Sequence, residues 1–305
     1  MIVRELKSDG EWAEANALRN VYNWTNPITL EEARSSYDRS RAERQDVRLV
    51  VLADGEIMSY VMAIENKNST DGSYWLSVHV NPGRMDCEVY YSVAIEEAMR
   101  RVTRHGGKRV MVESRGENPW EKATLEKLQF NFEMRLPFSC LDVQNADFAY
   151  QPEVMTFADF IESHPDDGIH QIWRCEMDSA AGLPLPFPFV ETPFEIFERR
   201  IIEDPRERLE SKFLSYRDGT LQRFSTLWRS TVNPKLAQTG QTGTRPEFRR
   251  QGVARSLKQH AIRWAKERGV EKIFTDNEEN NPMYQLNLQL GFRHLFDYEV
   301  YSKPC

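Results

Sequence analysis

The chain has 305 residues, with 40 Lys and Arg against 47 Asp and Glu, a formal net charge of -7 and a pI near 5.6. At about 150 residues per domain this length predicts two domains, each able to bury its own core. The charge is evenly spread, 19 basic and 24 acidic side chains in residues 1–150 and 21 and 23 in the rest, so neither half is a basic tail or an acidic arm and nothing global points to nucleic acid or a membrane.

With 40% hydrophobic and 29% charged residues the composition is that of a globular protein rather than a disordered one. The opening MIVRELKSDGEWAEANALRN carries charges where a signal peptide needs an apolar core. No apolar window approaches the roughly 18 residues of a membrane span, so the expected compartment is the cytoplasm. Cys87, Cys140, Cys175 and Cys305 lie far apart with no metal-ligand spacing, which predicts free thiols and no bound metal.

Along the chain one pattern occurs twice. RLVVLADGEIMSYVM reads as a strand, an Asp-Gly turn and a second strand, and KFLSYRDGTLQRFSTL repeats it, with Asp54-Gly55 and Asp218-Gly219 at the turns 164 positions apart. Pro82 and Pro246 follow at the same offset; next come two amphipathic helices closed by Gly106 and Gly269, 163 apart, each leading to a short apolar strand. Asn118-Pro119 and Asn281-Pro282 each open a further helix at an offset of 163, and Leu128-Gln129-Phe130 matches Leu290-Gly291-Phe292 at 162. Five landmarks in one order predict a duplicated domain, residues 1–145 and 152–305. Within each copy the order is hairpin, strand, helix, strand, helix, strand, an α/β domain with a central mixed sheet flanked by helices.

The second copy holds the most chemically specific stretch. After a strand ending near Thr244, Arg249-Arg250-Gln251-Gly252-Val253-Ala254 turns straight into a helix with Val253, Leu257, Ala261 and Trp264 on one face. Glycine lets a ligand approach the backbone, and the unpaired N–H groups of the first turn with the helix dipole form an anion site suited to a pyrophosphate. Arg249, Arg250 and Arg255 add positive charge around it. The same residues also fit a plain strand-to-helix turn with a solvated arginine rim.

Arg249-x-x-Gly252-x-Ala254 resembles the acyl-CoA pyrophosphate motif (Q/R)xxGx(G/A) of the GNAT superfamily of N-acyltransferases, and Asn281-Pro282-Met283 through Gly291-Phe292 resembles the later helix and strand of that family. The likeness covers nearly all of copy two and, more loosely, copy one, so the chain looks like a tandem GNAT protein. The resemblance implies a slot between two splayed strands for acetyl-CoA as co-substrate. Thr242, Gly243 and Thr244 would lie along its pantetheine, Arg249 to Arg255 and Asn281 would contact the rest, and a backbone N–H near Thr244 would polarise the thioester carbonyl. It implies acetyl transfer to a small-molecule amine by direct attack.

The family's usual proton-donating tyrosine, four residues before Gly-Phe, is Asn287 here. Tyr284, one turn earlier on the same face, is the candidate acid, with aromatic packing as its plain alternative. Asp276, Asp297 and Glu299 are the carboxylates near strand ends from which a base could come, and ordinary surface charge explains each equally well. In copy one Asp86, Glu88 and Tyr90 stand at the places of Arg250, Gly252 and Ala254. This predicts no CoA binding there, leaving copy one to brace copy two, close one side of the acceptor cleft or form homodimer contacts.

Residues 182–197, GLPLPFPFVETPFEIF, read equally well as an acceptor-lining wall and as a stiff loop packed on copy one. From Arg245 to Lys272 nine basic residues stand against three acidic ones. That stripe could meet nucleic acid, but sparse aromatics and overall acidity favour an anionic small molecule. The remaining alternative is an acyl-CoA-binding sensor, a pseudoenzyme that has lost turnover with its tyrosine.

Overall fold

The repeat is recorded in the backbone. At both hairpin turns the Asp and Gly take positive φ, 52° and 84° at Asp54-Gly55 and 52° and 75° at Asp218-Gly219, the two left-handed conformations that a type I′ turn requires. Gly106 and Gly269, at 80° and 75°, follow equivalent helices, and Gln129 and Gly291, at 61° and 95°, precede equivalent strands. The computed structural model describes residues 1–84, 86–148, 154–203, 208–249 and 253–305.

The first copy runs β1 (Ile2–Glu5), α1 (Asp9–Tyr22), α2 (Leu30–Glu43), the hairpin β2 (Asp46–Ala53) and β3 (Glu56–Glu65), β4 (Ser73–Val80), α3 (Cys87–Arg104), β5 (Arg109–Arg115), α4 (Pro119–Lys127) and β6 (Asn131–Asp142). The second runs β7 (Val154–Thr156), α5 (Phe157–Ser163), α6 (Gly168–Ala180), α7 (Phe194–Glu203), the hairpin β8 (Lys212–Arg217) and β9 (Thr220–Arg229), β10 (Leu236–Thr244), α8 (Val253–Glu267), β11 (Lys272–Asp276), α9 (Pro282–Gln289) and β12 (Arg293–Pro304). The expected order of hairpin, strand, helix, strand, helix, strand is present in both.

Two compact units emerge. Unit 1 comprises Met1–Phe138, Pro186–Pro188 and Phe296–Cys305, and unit 2 comprises Ser139–Leu185 and Phe189–Leu295. The unit 1 strands follow β1-β2-β3-β4-β5-β12 and the unit 2 strands β11-β10-β9-β8-β7. Both are mixed, parallel at β4–β5 and at β10–β11 and antiparallel in the hairpins. The limits differ from 1–145 and 152–305 at the chain's end. Sequence order puts the last strand in copy two, but β12 pairs antiparallel with β5 from Tyr298↔Arg115 to Pro304↔Arg109, and Phe296 stacks on Phe138 at 4.9 Å.

Each sheet is covered on both faces. In unit 1 Ala94, Ile95, Ala98 and Val102 of α3 pack on Leu49, Val51, Val61 and Leu76, while Ala15 of α1 meets Val50 and Tyr60 on the other face. In unit 2 the predicted apolar stripe of α8, Leu257, Ala261 and Trp264, packs with Leu227 and Ile273. Phe157, Phe160, Ile172 and Phe197 of α5 to α7 bury Leu214 and Phe224. Each large side chain so buried contributes about 1.5–3 kcal/mol. In the proline-rich loop Pro186–Pro188 belong to unit 1: Arg109 Nη1 donates to the Pro186 carbonyl at 2.7 Å and Phe187 meets Trp75 edge-on at 6.4 Å. Farther along, Trp173 Nε1 on α6 donates to the Thr192 carbonyl at 2.8 Å.

Two glycines set the path of β10. A Cβ on Gly240 would fall 2.3 Å from Thr226 Oγ1, and one on Gly243 would fall 2.5 Å from the Phe224 ring and 2.6 Å from Ser179 Cβ on α6. Gly243→Ala should therefore cost about 1–3 kcal/mol by overpacking, read as a lower urea midpoint with unchanged m-value. Removing residues 296–305 uncovers the β5 edge, and the shortened chain should lose the cooperative melt of unit 1 by circular dichroism; an unchanged melt would show that β12 is dispensable.

Candidate functional site

β10 runs beside β11 for three residues only. Leu236, Ala237 and Gln238 pair in parallel with Lys272, Ile273 and Phe274, and the register ends there. Thr239 Oγ1 still reaches the Phe274 carbonyl at 3.3 Å. β10 then shifts register against β9 between Thr239 and Thr242 and resumes with Thr242↔Ser225, Gly243↔Phe224 and Thr244↔Arg223. A bulge bends a strand away from its neighbour. The stretch Gly240–Thr244 is held from the β9 side and parts from β11, which leaves a fork with a backbone edge along one prong.

Three of the expected site residues form that prong. Thr242 Oγ1 lies 2.9 Å from Ser225 Oγ, Gly243 is buried against Phe224 and Ser179, and the Thr244 carbonyl accepts from Arg249 Nε at 3.1 Å. Arg249 also reaches the Ser179 carbonyl in the last turn of α6 at 3.5 Å. Its guanidinium lies so close to Gly182 that a Cβ there would sit 2.7 Å from Nη2. A cation on the carbonyls that a helix C-terminus leaves unbonded is favourable, so Arg249 ties the end of β10 to α6. Arg250, Gln251 and Gly252 lie outside the described residues, as does the side chain of Val253, which opens α8. Ala254 and Arg255 occupy its first turn, and the Arg255 guanidinium hydrogen-bonds the Gln289 amide oxygen on α9.

On α9 Asn281 is the N-cap, its Oδ1 accepting from Met283 N at 2.9 Å. Tyr284 is half-buried one turn before Asn287. Asn287 is fully buried; its Nδ2 donates to Asn277 Oδ1 at 2.6 Å, while its own Oδ1 has no partner among the described residues. The family's tyrosine position thus carries an amide committed to the loop after β11. Asp297 and Glu299 fall in unit 1, where Asp297 O accepts from Gly116 N at 2.8 Å and Glu299 accepts from the Tyr301 hydroxyl at 2.6 Å.

Asp276 ends β11 just past the point where β10 leaves it. Asp276 is exposed, yet the surrounding protein strips enough water to push its pKa up, against the pull of the Gln238 side chain on β10 and of Lys258.

Lys258 itself is 3% exposed, and burial lowers its ammonium pKa to about 8, Asp276 opposing. It faces the Phe292 ring at 5.8 Å. Sequence reading placed Lys258 in a basic stripe; the signal that it is buried is its spacing, i+4 from Ala254 and i-3 from Ala261, on the apolar face of α8. The rest of the stripe is dispersed: Arg245 pairs with Asp178 at 2.9 Å, Arg263 with Glu267 at 2.8 Å, and Lys266 donates to the Ala146 carbonyl at 2.6 Å.

Unit 1 repeats the fork with different contents. β4 pairs with β5 from Ser73↔Arg109 to Leu76↔Val112 and then parts. In the place of Gly243 stands His79, buried, its pKa pushed down to about 3 by loss of water and by Arg19. The imidazole lies between Tyr60 at 5.9 Å and Tyr22 at 5.3 Å. Glu88 sits in the first turn of α3 and pairs with Lys127 at 3.2 Å.

The four cysteines are free. Among the described residues no helix is long and apolar enough to cross a membrane, and no cluster of His, Cys, Asp or Glu could hold a metal ion.

Residues 169–292 match the acetyltransferase (GNAT) family model. The whole chain is similar in fold to a GCN5-related N-acetyltransferase from Sphaerobacter thermophilus, at 14% identity over 99% of this chain and 95% of that one, TM-score 0.74. It is equally similar to a tandem GNAT protein from the clavulanic acid biosynthesis pathway, at 14% identity over 99% and 98%, TM-score 0.74. A GNAT-family acetyltransferase from Colwellia psychrerythraea matches at 11% identity over the full length of both chains, TM-score 0.63. Among curated proteins no sequence matches. Residues 169–292 therefore carry the likeness to the acetyltransferase (GNAT) family, and the whole chain shares the fold of these GNAT proteins.

Proposed function

We propose that the chain is an N-acetyltransferase that moves an acetyl group from acetyl-CoA to a small-molecule amine, and that the second copy carries the reaction. The observation behind this reading is the fork: β10 parts from β11 after Gln238 and presents Gly240–Thr244 as an edge on which an amide-bearing chain such as pantetheine can pair. The buried, unpartnered Asn287 Oδ1 fits the same ligand class, offering an acceptor to an amide N–H. Acetyl-CoA supplies the activated acyl group as a thioester. The protein supplies the strand edge, a backbone N–H near Thr244 for the carbonyl, and Arg249-Arg250-Gln251-Gly252-Val253-Ala254-Arg255 at the start of α8 for the phosphates.

The first copy, in this reading, is not a second CoA site. His79 replaces the glycine of the prong, and Asp86 and Glu88 replace the positive charge and open backbone of the loop. Its roles are bracing, closing one side of the acceptor cleft or homodimer contact. No metal, nucleic acid or membrane enters the reaction, and the compartment is the cytoplasm. The second reading is an acyl-CoA sensor without turnover, favoured by one observation, the buried amide of Asn287 in place of a proton-donating phenol.

Calorimetry with acetyl-CoA should show binding that Gly252→Glu abolishes and Glu88→Gly leaves unchanged; no binding at millimolar ligand would end the proposal, and equal effects would mean that the wrong copy was chosen. Thiol release with a panel of amines separates enzyme from sensor, since tight binding without turnover on any amine means the sensor. Tyr284→Phe should slow turnover if the phenol protonates the leaving sulfur, and an unchanged turnover rate across pH removes it from the mechanism.

A further inference from the structure

An acceptor amine reaches the enzyme at neutral pH as an ammonium ion and must lose a proton before its nitrogen can attack, so a base has to stand where the two prongs part. Most carboxylates of unit 2 near that point are committed elsewhere. Asp178 is held by Arg245 at 2.9 Å and Arg174 at 2.7 Å, and Glu191 by Arg174 at 2.6 Å. Glu278 accepts from the Asn280 backbone and side chain at 3.0 and 2.8 Å. Asp276 differs in three ways: it is the last residue of β11, it is exposed, and it lies just past Gln238↔Phe274, the last pair of the β10–β11 ladder before the fork.

We propose that Asp276 is the general base of the acetyl transfer, standing at the end of β11 where β10 parts from it. This rests on the activity proposed above and adds the base that reading lacks. The Asp276 carboxylate takes one proton from the acceptor ammonium and passes it to solvent. The nitrogen forms its bond to the acetyl carbon, the carbon–sulfur bond breaks with its electron pair going to sulfur, and the second nitrogen proton ends on that sulfur.

Lys258 is the tuning element. It makes no hydrogen bond and no ion pair among the described residues; what faces it is the Phe292 ring at 5.8 Å and, by charge, Asp276. From β10 the group facing Asp276 is the neutral Gln238, and from α8 it is Lys258. Desolvation raises the carboxyl and Lys258 opposes the rise, so the two together set the strength of the base. The sign follows: the base works only when deprotonated, so the rate falls as pH drops through its raised pKa, and removing Lys258 moves that fall to higher pH.

A carboxyl carbon NMR titration of the full chain, with Asp276 assigned by its loss in Asp276→Asn, needs no ligand. Its midpoint should lie above the roughly 3.9 of a free aspartate and move up further in Lys258→Met, a change of similar volume that keeps the helix packed. In thiol-release assays Asp276→Asn should lose roughly 10²–10⁴-fold in rate and its acid limb, keep its affinity for acetyl-CoA, and be partly rescued by Asp276→Glu; Lys258→Met should shift the limb without abolishing turnover at high pH. An ordinary carboxyl midpoint unmoved by Lys258→Met, or a turning-over wild type matched by Asp276→Asn at every pH, overturns the base while leaving the activity standing. A wild type that binds no acetyl-CoA removes the activity and this base together.

Discussion

The parting of β10 from β11 is the constraint on which the second unit depends. Strands inside a sheet normally have both edges paired, and each backbone polar group buried without a partner costs about 1–3 kcal/mol. The fork is maintained from its far side. Gly240 sits beneath Thr226 and Gly243 against Phe224 and Ser179, with no room for a Cβ at either, while Arg249 bonds both the end of β10 and the last turn of α6. Packing that close resists a sideways shift of β10 toward β11, so the open edge is built into the fold rather than made by a ligand. The same contacts explain why the glycine-rich run Thr239–Thr244 survives as a strand despite its poor β-propensity.

Unit 1 shows what the frame becomes without that purpose. Its turns, helix ends and β4–β5 parting recur at the spacing of the repeat, so the backbone geometry is duplicated almost intact. The side chains are not. His79 stands where Gly243 would be, neutral, stacked on Tyr60 and edge-on to Tyr22, whereas at Gly243 the Phe224 ring and Ser179 leave no room for a side chain. Shape and chemistry have separated within one chain: left-handed positions are dictated by hairpin and helix-end geometry, which both units need, whereas an open prong is needed only where something binds.

That separation also sets what could be read in the sequence. Turns at Asp54-Gly55 and Asp218-Gly219 and the glycines after α3 and α8 carry local signals, since φ above zero restricts the residue type, and from them the mixed α/β order and the repeat followed. Which sheet receives the last strand is a long-range matter: nothing within residues 296–305 states that their partner is β5, more than 180 positions earlier. Arginine charge was legible at position 249, but its direction was not, because the carbonyls it meets belong to α6 and β10. Asp276 was visible only as one of several strand-end carboxylates. What singles it out is the length of the β10–β11 ladder, a quantity set by a bulge that the residues Thr239–Thr242 do not announce.

Two of the buried cations make the strongest physical contrast. Arg48 in unit 1 is satisfied throughout: its Nε and Nη2 meet the two oxygens of buried Asp46 at 3.0 Å each, Nη1 reaches the Ala33 carbonyl at 3.4 Å, and the rings of Tyr37 and Trp12 lie 4.7 and 5.7 Å away. Such a pair is a structural fixture, costly to break by about 3–5 kcal/mol. Among the described residues Lys258 has no such company, only an aromatic ring and the field of a carboxylate at the neighbouring strand end. A leucine or methionine on that face of α8 would spare the desolvation that lowers its pKa and would pack against Leu257 and Ala261 equally well. The charge that opposes this desolvation is that of Asp276, at the strand end beside the fork.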